Sequence, residues 1–171
     1  MDINDLVTVR IATAKNIPDM ISLSRESSTA AQWSEQQYDT LFQAPEGSNA
    51  RLALIAEGNV PKALQREMQP ILGFLVASHH APEWELENIV VAPEFRGKGI
   101  ATQLMLALLD RVQNTNGESV FLEVRESNSA ARSLYEKLGF EQTGRRKSYY
   151  SNPIEDAVLY SKNLLPTRTQ P

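Results

Sequence analysis

The amino-acid sequence predicts an α/β or α+β domain in which helices pack on one mixed sheet. Short runs rich in β-branched residues, typical of strands, alternate with segments whose apolar residues recur every three or four positions, as in helices. Their order is strand, helix, helix, three strands, helix, strand, helix and two strands, which makes about seven strands and about four helices. A length of 171 residues with 42% hydrophobic content suits one folded domain, which we expect over residues 1–165.

The first half of the chain contains three predicted strands and two predicted helices. The strands are the β-branched run Leu6–Ala12 and the apolar runs Arg51–Glu57 and Ile71–Ser78, and the last two are expected to pair as a hairpin. Apolar residues at helical spacing predict a helix over Ile17–Ser24. Ser34, followed by a glutamate and two glutamines, predicts the capped start of a second helix.

Two polar segments are expected to lie outside the regular elements. Gly58–Pro70 contains two prolines and is too long for a tight turn, so we expect a mobile loop there. The polar residues from Pro166 to Pro171 are expected to form a disordered tail.

Four further strands are predicted in the second half, at Glu85–Val91, Val120–Val124, Phe140–Tyr149 and Ala157–Ser161. A loop at Ser151–Asp156 is expected between the last two. In the first of these strands the odd-numbered side chains share one face, so Glu85 and Glu87 lie on the same side as Ile89 and Val91.

Two helices are predicted between these strands. The first carries an apolar stripe with a spacing of four residues, at Ile100, Leu104, Leu108 and Val112. The second is expected to begin at a cap formed by Asn128 or Ser129 and to end at Gly139. Its inward side is expected to consist of Ala130, Leu134 and Leu138.

Composition narrows the possible chemistry. The absence of cysteine excludes disulfides, thiolate metal sites and a cysteine nucleophile. The net charge of −4 argues against nucleic acid as a partner, because binding to phosphates requires a basic surface. No apolar run approaches the roughly 20 residues of a membrane span, and Asp2 and Asp5 stand where a signal peptide has basic residues. We therefore expect a cytoplasmic protein without a membrane partner.

His79 and His80 are expected to be exposed, without a bound metal.

A glycine-containing segment after the Glu85–Val91 strand predicts an anion site. Arg96, Gly97, Lys98 and Gly99 lead directly into the helix that begins near Ile100. The start of a helix has backbone N–H groups without partners and carries the positive end of the helix dipole. The two glycines allow an anion to approach the backbone, and the two cationic side chains add positive charge. A tight turn without a ligand is the alternative interpretation.

The six residues from Arg96 to Ala101 fit the Gln/Arg-x-x-Gly-x-Gly/Ala signature, and the chain resembles the GCN5-related N-acetyltransferase (GNAT) family. The order of helices and strands and the segment from Leu134 to Phe140 also resemble those of this family. It implies a mixed, mostly antiparallel sheet and an N-acetyltransferase that uses acetyl-CoA without a metal. The segments Asn88–Val91, Leu122–Arg125 and Arg145–Tyr150 are similar to those of the bacterial ribosomal-protein-alanine acetyltransferases. Gln32 replaces the proline usual in that group, and Gly58–Pro70 is longer than usual.

The resemblance also implies which residues hold acetyl-CoA. The backbone N–H groups of the turn and first helical residues would bind the pyrophosphate, with Arg96 and Lys98 nearby. These backbone positions are Gly97, Lys98, Gly99, Ile100, Ala101 and Thr102. The strand residues Ile89, Val90 and Val91 would pair with the pantetheine arm. Asn128 would hydrogen-bond the same arm, although a plain helix cap is the alternative.

The resemblance assigns acid–base roles as well. Glu123 is the general base favoured by the ribosomal-protein group, whereas many other family members favour the strand that carries Glu85 or Glu87. A salt bridge with Arg125 is the alternative role of Glu123. Tyr135 is the candidate acid, or hydrogen-bond donor, for the departing thiolate, with core packing as its alternative. Because the chain lacks cysteine, we expect direct attack by the amine in a ternary complex.

The acceptor is less well defined than the donor. Trp33, Tyr149 and Tyr150 are candidate residues of the acceptor groove, although aromatic residues also serve packing. The main interpretation is a protein N-terminus as acceptor. The alternatives are a small amine such as a polyamine, and a non-catalytic regulator that binds acetyl-CoA. Either a monomer or a homodimer is compatible with the sequence.

Overall fold

A computed structural model of the chain describes residues 7–28, 31, 33–43, 50–58 and 71–165. The strands are β1 (Val7–Ile11), β2 (Arg51–Gly58), β3 (Ile71–His80), β4 (Glu83–Val91), β5 (Ser119–Arg125), β6 (Glu141–Ser151) and β7 (Ile154–Asn163). The helices are α1 (Ile17–Arg25), α2 (Glu35–Asp39), α3 (Ile100–Asn114) and α4 (Ser129–Lys137). Residues 1–6, Gln32, the predicted loop from residue 59 to Pro70, and the predicted tail 166–171 lie outside the described residues.

The seven strands form one sheet in the order β1-β2-β3-β4-β5-β7-β6. Every neighbouring pair is antiparallel except β4 and β5, which are parallel. The predicted fold class, a mixed and mostly antiparallel sheet with four helices, is confirmed. The predicted hairpin of β2 and β3 is also present.

The parallel pair β4 and β5 separates part of the way along its length. Pairing joins Glu83–Leu86 to Ser119–Leu122 and extends no further over the described residues. Beyond this point β4 remains paired with β3 as far as Val91, and β5 remains paired with β7 as far as Arg125. Each strand follows its outer neighbour, so a gap opens in the middle of the sheet.

Helix α3 forms the largest helical part of the core. The predicted stripe of Ile100, Leu104, Leu108 and Val112 is fully buried. The helix packs against the central strands. In β3 the four consecutive side chains from Phe74 to Ala77 are inaccessible to solvent, so both faces of this strand are covered. Burial of each such aliphatic side chain contributes about 1.5–3 kcal/mol.

The inward face of α4 differs from the prediction. Ala130 is exposed, whereas Ala131, Leu134, Tyr135 and Leu138 pack towards the sheet. These four residues have the i, i+3, i+4, i+7 spacing of one helical face, and Ala130 lies about 100° from Ala131. The predicted end of the helix is confirmed. Gly139 has φ +80°, and the N–H groups of Gly139 and Phe140 bind the carbonyls of Glu136 and Tyr135 as in a Schellman cap.

The connection between the last two strands is also shorter than predicted. Strand β7 begins at Ile154 rather than Ala157, because Ile154 and Glu155 pair with Ser151 and Tyr150 of β6. The predicted loop Ser151–Asp156 is thus reduced to a turn at Asn152 and Pro153. None of the described helices is long and apolar enough to cross a membrane.

Candidate active site

A cavity of about 600 Å³ lies where β4 and β5 separate. Its lining comes from β4, β5, α4 and the end of β6, together with Ser28 and Ala31. The predicted site residues Glu87, Ile89, Glu123 and Asn128 are among the lining residues, as are Tyr135, Tyr149 and Tyr150. The separation of the two strands therefore brings together predicted residues from four elements.

One backbone edge of β4 faces this opening. The N–H group of Ala92 donates to the carbonyl oxygen of Leu72 on β3, at 2.9 Å. Because successive N–H groups of a strand point to opposite sides, those of Val91 and Ile89 point away from β3. The backbone of Val90, which was also predicted to pair with the donor, faces β3 instead, with its carbonyl oxygen beside Gly73. Beyond Leu86 no pairing with β5 occupies this edge in the described chain. The carbonyl oxygen of Val91 accepts a hydrogen bond from Nε of Arg96, at 3.2 Å.

The turn before α3 has the conformation that its glycines predict. Gly97 and Gly99 have φ values of +72° and +81°, and Gly99 is the N-cap of the helix. The first backbone bond of the helix runs from the N–H of Gln103 to the carbonyl of Gly99, at 3.0 Å. Among the described residues, the N–H groups of residues 97–102 donate no backbone hydrogen bond of good geometry.

The same turn is open to a ligand. A Cβ added at Gly97 would meet no atom within 4 Å. The side chain of Ile100 is buried and anchors the start of the helix, whereas Arg96, Gly97 and Lys98 are exposed. Free N–H groups, positive φ values and two exposed cations fit an anionic group such as a pyrophosphate.

Asn128 caps α4 and faces the cavity. Its Oδ1 accepts a hydrogen bond from the N–H of Ala131, at 3.2 Å. Its Nδ2 has no partner in the described part of the chain, so the capping role leaves a donor available. The two roles considered for this residue are compatible.

The three candidate carboxylates have different partners. Oε1 of Glu123 lies 3.0 Å from Nε of Arg146, and Glu87 forms two bonds to Arg51, of 2.7 and 3.1 Å. Glu85 lies 3.7 Å from Nε2 of His80. Burial, and then the charge of Glu87, raise the pKa of Glu85.

The alternative salt bridge between Glu123 and Arg125 is not present. Arg125 instead lies 3.3 Å from Glu155 on β7, and its guanidinium lies 4.2 Å from the ring centroid of Tyr150. Hydrogen bonds from Ser127 and Arg125 lower the pKa of Glu155. Arg125 therefore contacts Glu155 of β7 and Tyr150 of β6, and the partner of Glu123 is Arg146 of β6.

Tyr135 is buried on α4 at the side of the cavity. Its ring centroid lies 5.9 Å from that of Phe140 and 6.2 Å from that of Tyr160. Burial, and to a lesser extent the neighbouring Tyr150, raise the pKa of Tyr135. The phenol therefore stays protonated and can donate a hydrogen bond, but it is a weaker acid than an ordinary tyrosine.

The three aromatic candidates for the acceptor groove lie in two places. Tyr149 and Tyr150 line the cavity, with ring centroids 5.2 Å apart. Trp33 lies outside the lining and packs against Tyr38, with Arg51 above its ring at 5.5 Å. His79 stacks on Trp84 and is half-buried, whereas His80 is exposed as expected. Within the described ranges, no three His, Asp or Glu side chains form a group that could hold a metal ion.

Sequence reasoning did not assign a role to Arg146 or to the side chain of Asn88. Asn88 is buried, and its Oδ1 accepts from the N–H of Ala31 while its Nδ2 donates to the carbonyl of the same residue, at 3.3 and 3.4 Å. It thereby holds the segment after α1 against β4. The two adjacent arginines Arg145 and Arg146 are visible in the sequence, but the residues around them do not indicate that Glu123 is a partner.

Comparison with known proteins agrees with this geometry. The model of the acetyltransferase (GNAT) family matches residues 17–140. A ribosomal protein bS18-alanine N-acetyltransferase of Haemophilus ducreyi is 37% identical over 96 residues, which cover 54% of this chain and 66% of the relative. An N-alpha-acetyltransferase of Saccharolobus solfataricus is 45% identical over 78 residues, which cover 45% of this chain and 46% of the relative. Each match thus covers less than two thirds of the relative's length.

A solved structure shows the same fold over nearly the whole chain. The ribosomal-protein-S18-alanine N-acetyltransferase from Escherichia coli superposes with a TM-score of 0.78 at 23% identity, covering 97% of this chain and 99% of that one. The family model spans well over half of the sequence, and the gap between β4 and β5 lies within it. The chain belongs to the GNAT acetyltransferase family.

Proposed function

We propose that the protein is an N-acetyltransferase that transfers the acetyl group of acetyl-CoA directly to a primary amine. The proposed acceptor is a protein N-terminal α-amine, of the ribosomal-protein-alanine type. The observation that carries this proposal is the separation of β4 and β5, which leaves an edge of β4 unpaired beside Glu123 and Tyr135. A free strand edge next to a carboxylate and a phenol supplies the groups that acetyl transfer needs.

The donor would be held mainly by backbone groups. The free N–H groups from Gly97 to Thr102 would bind the pyrophosphate, and Arg96 and Lys98 would add charge. The edge of β4 at Ile89 and Val91 would pair with the pantetheine arm as an added strand does. The free Nδ2 of Asn128 would donate to the same arm.

Acid–base work would fall to Glu123 and Tyr135. An α-amine has a pKa of about 8, so a minority is neutral near pH 7 and Glu123 needs to accept only one proton, directly or through a water. Glu87 and Glu85 are the alternative bases. Glu87 lines the cavity but is bonded to Arg51, whereas Glu85 has no salt bridge with an arginine among the described residues but lies outside the cavity lining. Tyr135, with its raised pKa, would stabilise the leaving thiolate by a hydrogen bond rather than by full proton transfer.

The acceptor assignment is supported by the relatives. The Haemophilus ducreyi protein is named for the alanine of a ribosomal protein, and the archaeal relative is named an N-alpha-acetyltransferase. In this chain the acceptor would enter beside Tyr149 and Tyr150.

A thiol-release assay with acetyl-CoA tests the proposal. We expect release with peptides that begin with alanine, and mass spectrometry should place the acetyl group on the α-amine. The same peptides with a blocked N-terminus are the control and should be inactive even when they contain lysine. Reaction with polyamines alone would refute the proposal that the acceptor is a protein N-terminus. If no amine causes release of the thiol although acetyl-CoA binds, the proposed enzymatic activity would be refuted and a non-catalytic regulator favoured.

A further inference from the structure

Strand β6 sends two consecutive side chains into one cavity. In a regular strand, neighbouring side chains point to opposite faces of the sheet. Tyr149 and Tyr150 nevertheless both line the cavity. Tyr149 lies close enough to Glu123 for that carboxylate to raise the pKa of its phenol, while the ring of Tyr150 lies under Arg125. A local break in the strand must produce this arrangement.

The break is a bulge that lies opposite a single residue of β7. Arg146 pairs with Ala157 and Tyr150 pairs with Glu155, so the three residues 147–149 face Asp156 alone. In the middle of the bulge, Ser148 has φ +49°, in the left-handed region that side chains other than glycine rarely adopt. The sequence around Ser148 contains no glycine that would favour this conformation.

The carboxylate of Asp156 holds the bulge together. Its Oδ1 accepts a hydrogen bond from the N–H of Ser148, at 2.9 Å. Its Oδ2 lies 3.6 Å from Nη1 of Arg145, which also lies 2.6 Å from Glu126. The backbone carbonyl of Asp156 accepts from the N–H of Glu126, just after β5, at 3.1 Å. Asp156 thus connects the bulge on β6 to the end of the strand that carries Glu123.

We propose that Asp156 is a positioning residue that stabilises the left-handed conformation of Ser148 and thereby directs both Tyr149 and Tyr150 into the acceptor side of the cavity. Without this hydrogen bond, the strained conformation of Ser148 loses a contact that compensates for it. The strand then relaxes towards regular pairing, in which only one of the two tyrosines can face the cavity. This inference depends on the proposed function for the identity of the ligand, but not for the geometry of the bulge.

Three variants separate the hydrogen bond from the charge. Asp156→Ala removes both, whereas Asp156→Asn keeps a side-chain carbonyl oxygen and loses the charge. The double variant Asp156→Ala with Ser148→Gly removes the hydrogen bond but also removes the strain, because glycine adopts positive φ readily. Asp110→Ala, which deletes an exposed carboxylate on α3, is the matched control.

Kinetics with the peptide acceptor give the first measurement. We expect Asp156→Ala to raise the KM for the acceptor at least about tenfold, with the KM for acetyl-CoA within about twofold of the unmodified chain. Asp156→Asn and the double variant should recover most of this loss, and Asp110→Ala should show none. An unchanged acceptor KM in Asp156→Ala, or a loss in Asp156→Asn as large as in Asp156→Ala, would overturn the proposal.

Amide hydrogen exchange gives a measurement that needs no acceptor. The Ser148 amide should exchange at least about tenfold faster in Asp156→Ala than in the unmodified chain, and Asp156→Asn should restore protection. Equal exchange rates in all variants would overturn the role of Asp156 even in an active enzyme. If no amine is acetylated, the proposed function fails, while the exchange rates still decide whether Asp156 holds the bulge.

Discussion

Arg146 on β6 binds Glu123 on β5 across an intervening strand. Nε of Arg146 lies 3.0 Å from Oε1 of Glu123, and β7 runs between the two strands in the sheet. The same guanidinium lies 5.3 Å from the ring centroid of Tyr149. The Arg146 side chain is 55% exposed and that of Glu123 is 19% exposed, and an ion pair whose cation is this accessible to solvent contributes about 1 kcal/mol. An incoming amine can therefore displace Arg146 at small cost.

Because this ion pair is weak, substitutions of Glu123 and of Arg146 should lower kcat/KM by very different amounts. Glu123→Gln should lower kcat/KM for a peptide acceptor by about 100-fold or more, with the largest loss below about pH 7.5, where most of the α-amine is protonated. Arg146→Gln should change kcat/KM by less than about fivefold. Steady-state kinetics from pH 6 to 9 measure both. An unchanged pH profile in Glu123→Gln would move the base to Glu85 or Glu87.

Tyr135→Phe tests the hydrogen bond to the leaving thiolate. We expect kcat to fall by about tenfold or more, with the affinity for acetyl-CoA within about twofold, because the phenol acts on the leaving group and not on the bound donor. Titration calorimetry with acetyl-CoA measures the affinity. Tyr38→Phe is the matched control, since Tyr38 packs against Trp33 and Phe74 outside the cavity lining. A large loss of donor affinity in Tyr135→Phe would instead assign the phenol to binding or packing.

The raised pKa of Glu85 predicts that the free energy of unfolding depends on pH. Its pKa is raised in the folded chain, mainly by burial and next by Glu87, so the folded state binds its proton more readily than the unfolded state does. The contribution of Glu85 to stability is therefore lost as the pH rises from the ordinary value for glutamate through the raised pKa. Glu85→Gln should be more stable than the unmodified chain at pH 7, with little difference near pH 4.

Urea unfolding at the two pH values measures this difference. Glu83→Gln, on the same strand and exposed to solvent, is the control and should show no such change between the two conditions. A Glu85→Gln variant that is less stable at pH 7 would show that the carboxylate of Glu85 forms favourable interactions that outweigh its burial.

The glycine turn predicts a combined loss of stability and donor binding. Gly97→Ala places a side chain at φ +72°, which costs about 1–2 kcal/mol even though a Cβ there meets no neighbour. The altered turn should also weaken CoA binding, as measured by titration calorimetry. Gly144→Ala is the control, because its Cβ would make only an ordinary contact of 3.9 Å with Leu159. Unchanged CoA binding in a destabilised Gly97→Ala variant would separate the turn from the donor site.

Much of the fold follows from patterns that act over a few residues. The alternation in β4, the buried stripe of α3, the cap at Ser34 and the left-handed Gly139 are all confirmed. Each depends on periodicity or on a single backbone conformation. Ala130 shows the limit of such reasoning, because a shift of one position around the helix axis separates an exposed residue from a buried one.

The sequence by itself determined that this chain forms a mixed sheet and that a helix begins at a glycine turn suited to an anion. Only the tertiary structure decided that Glu123 pairs with Arg146 rather than Arg125, and that Tyr149 and Tyr150 share one cavity. The reason is physical. Propensity and periodicity operate within a turn or a strand, whereas these contacts depend on the register of three strands and on a bulge held by Asp156.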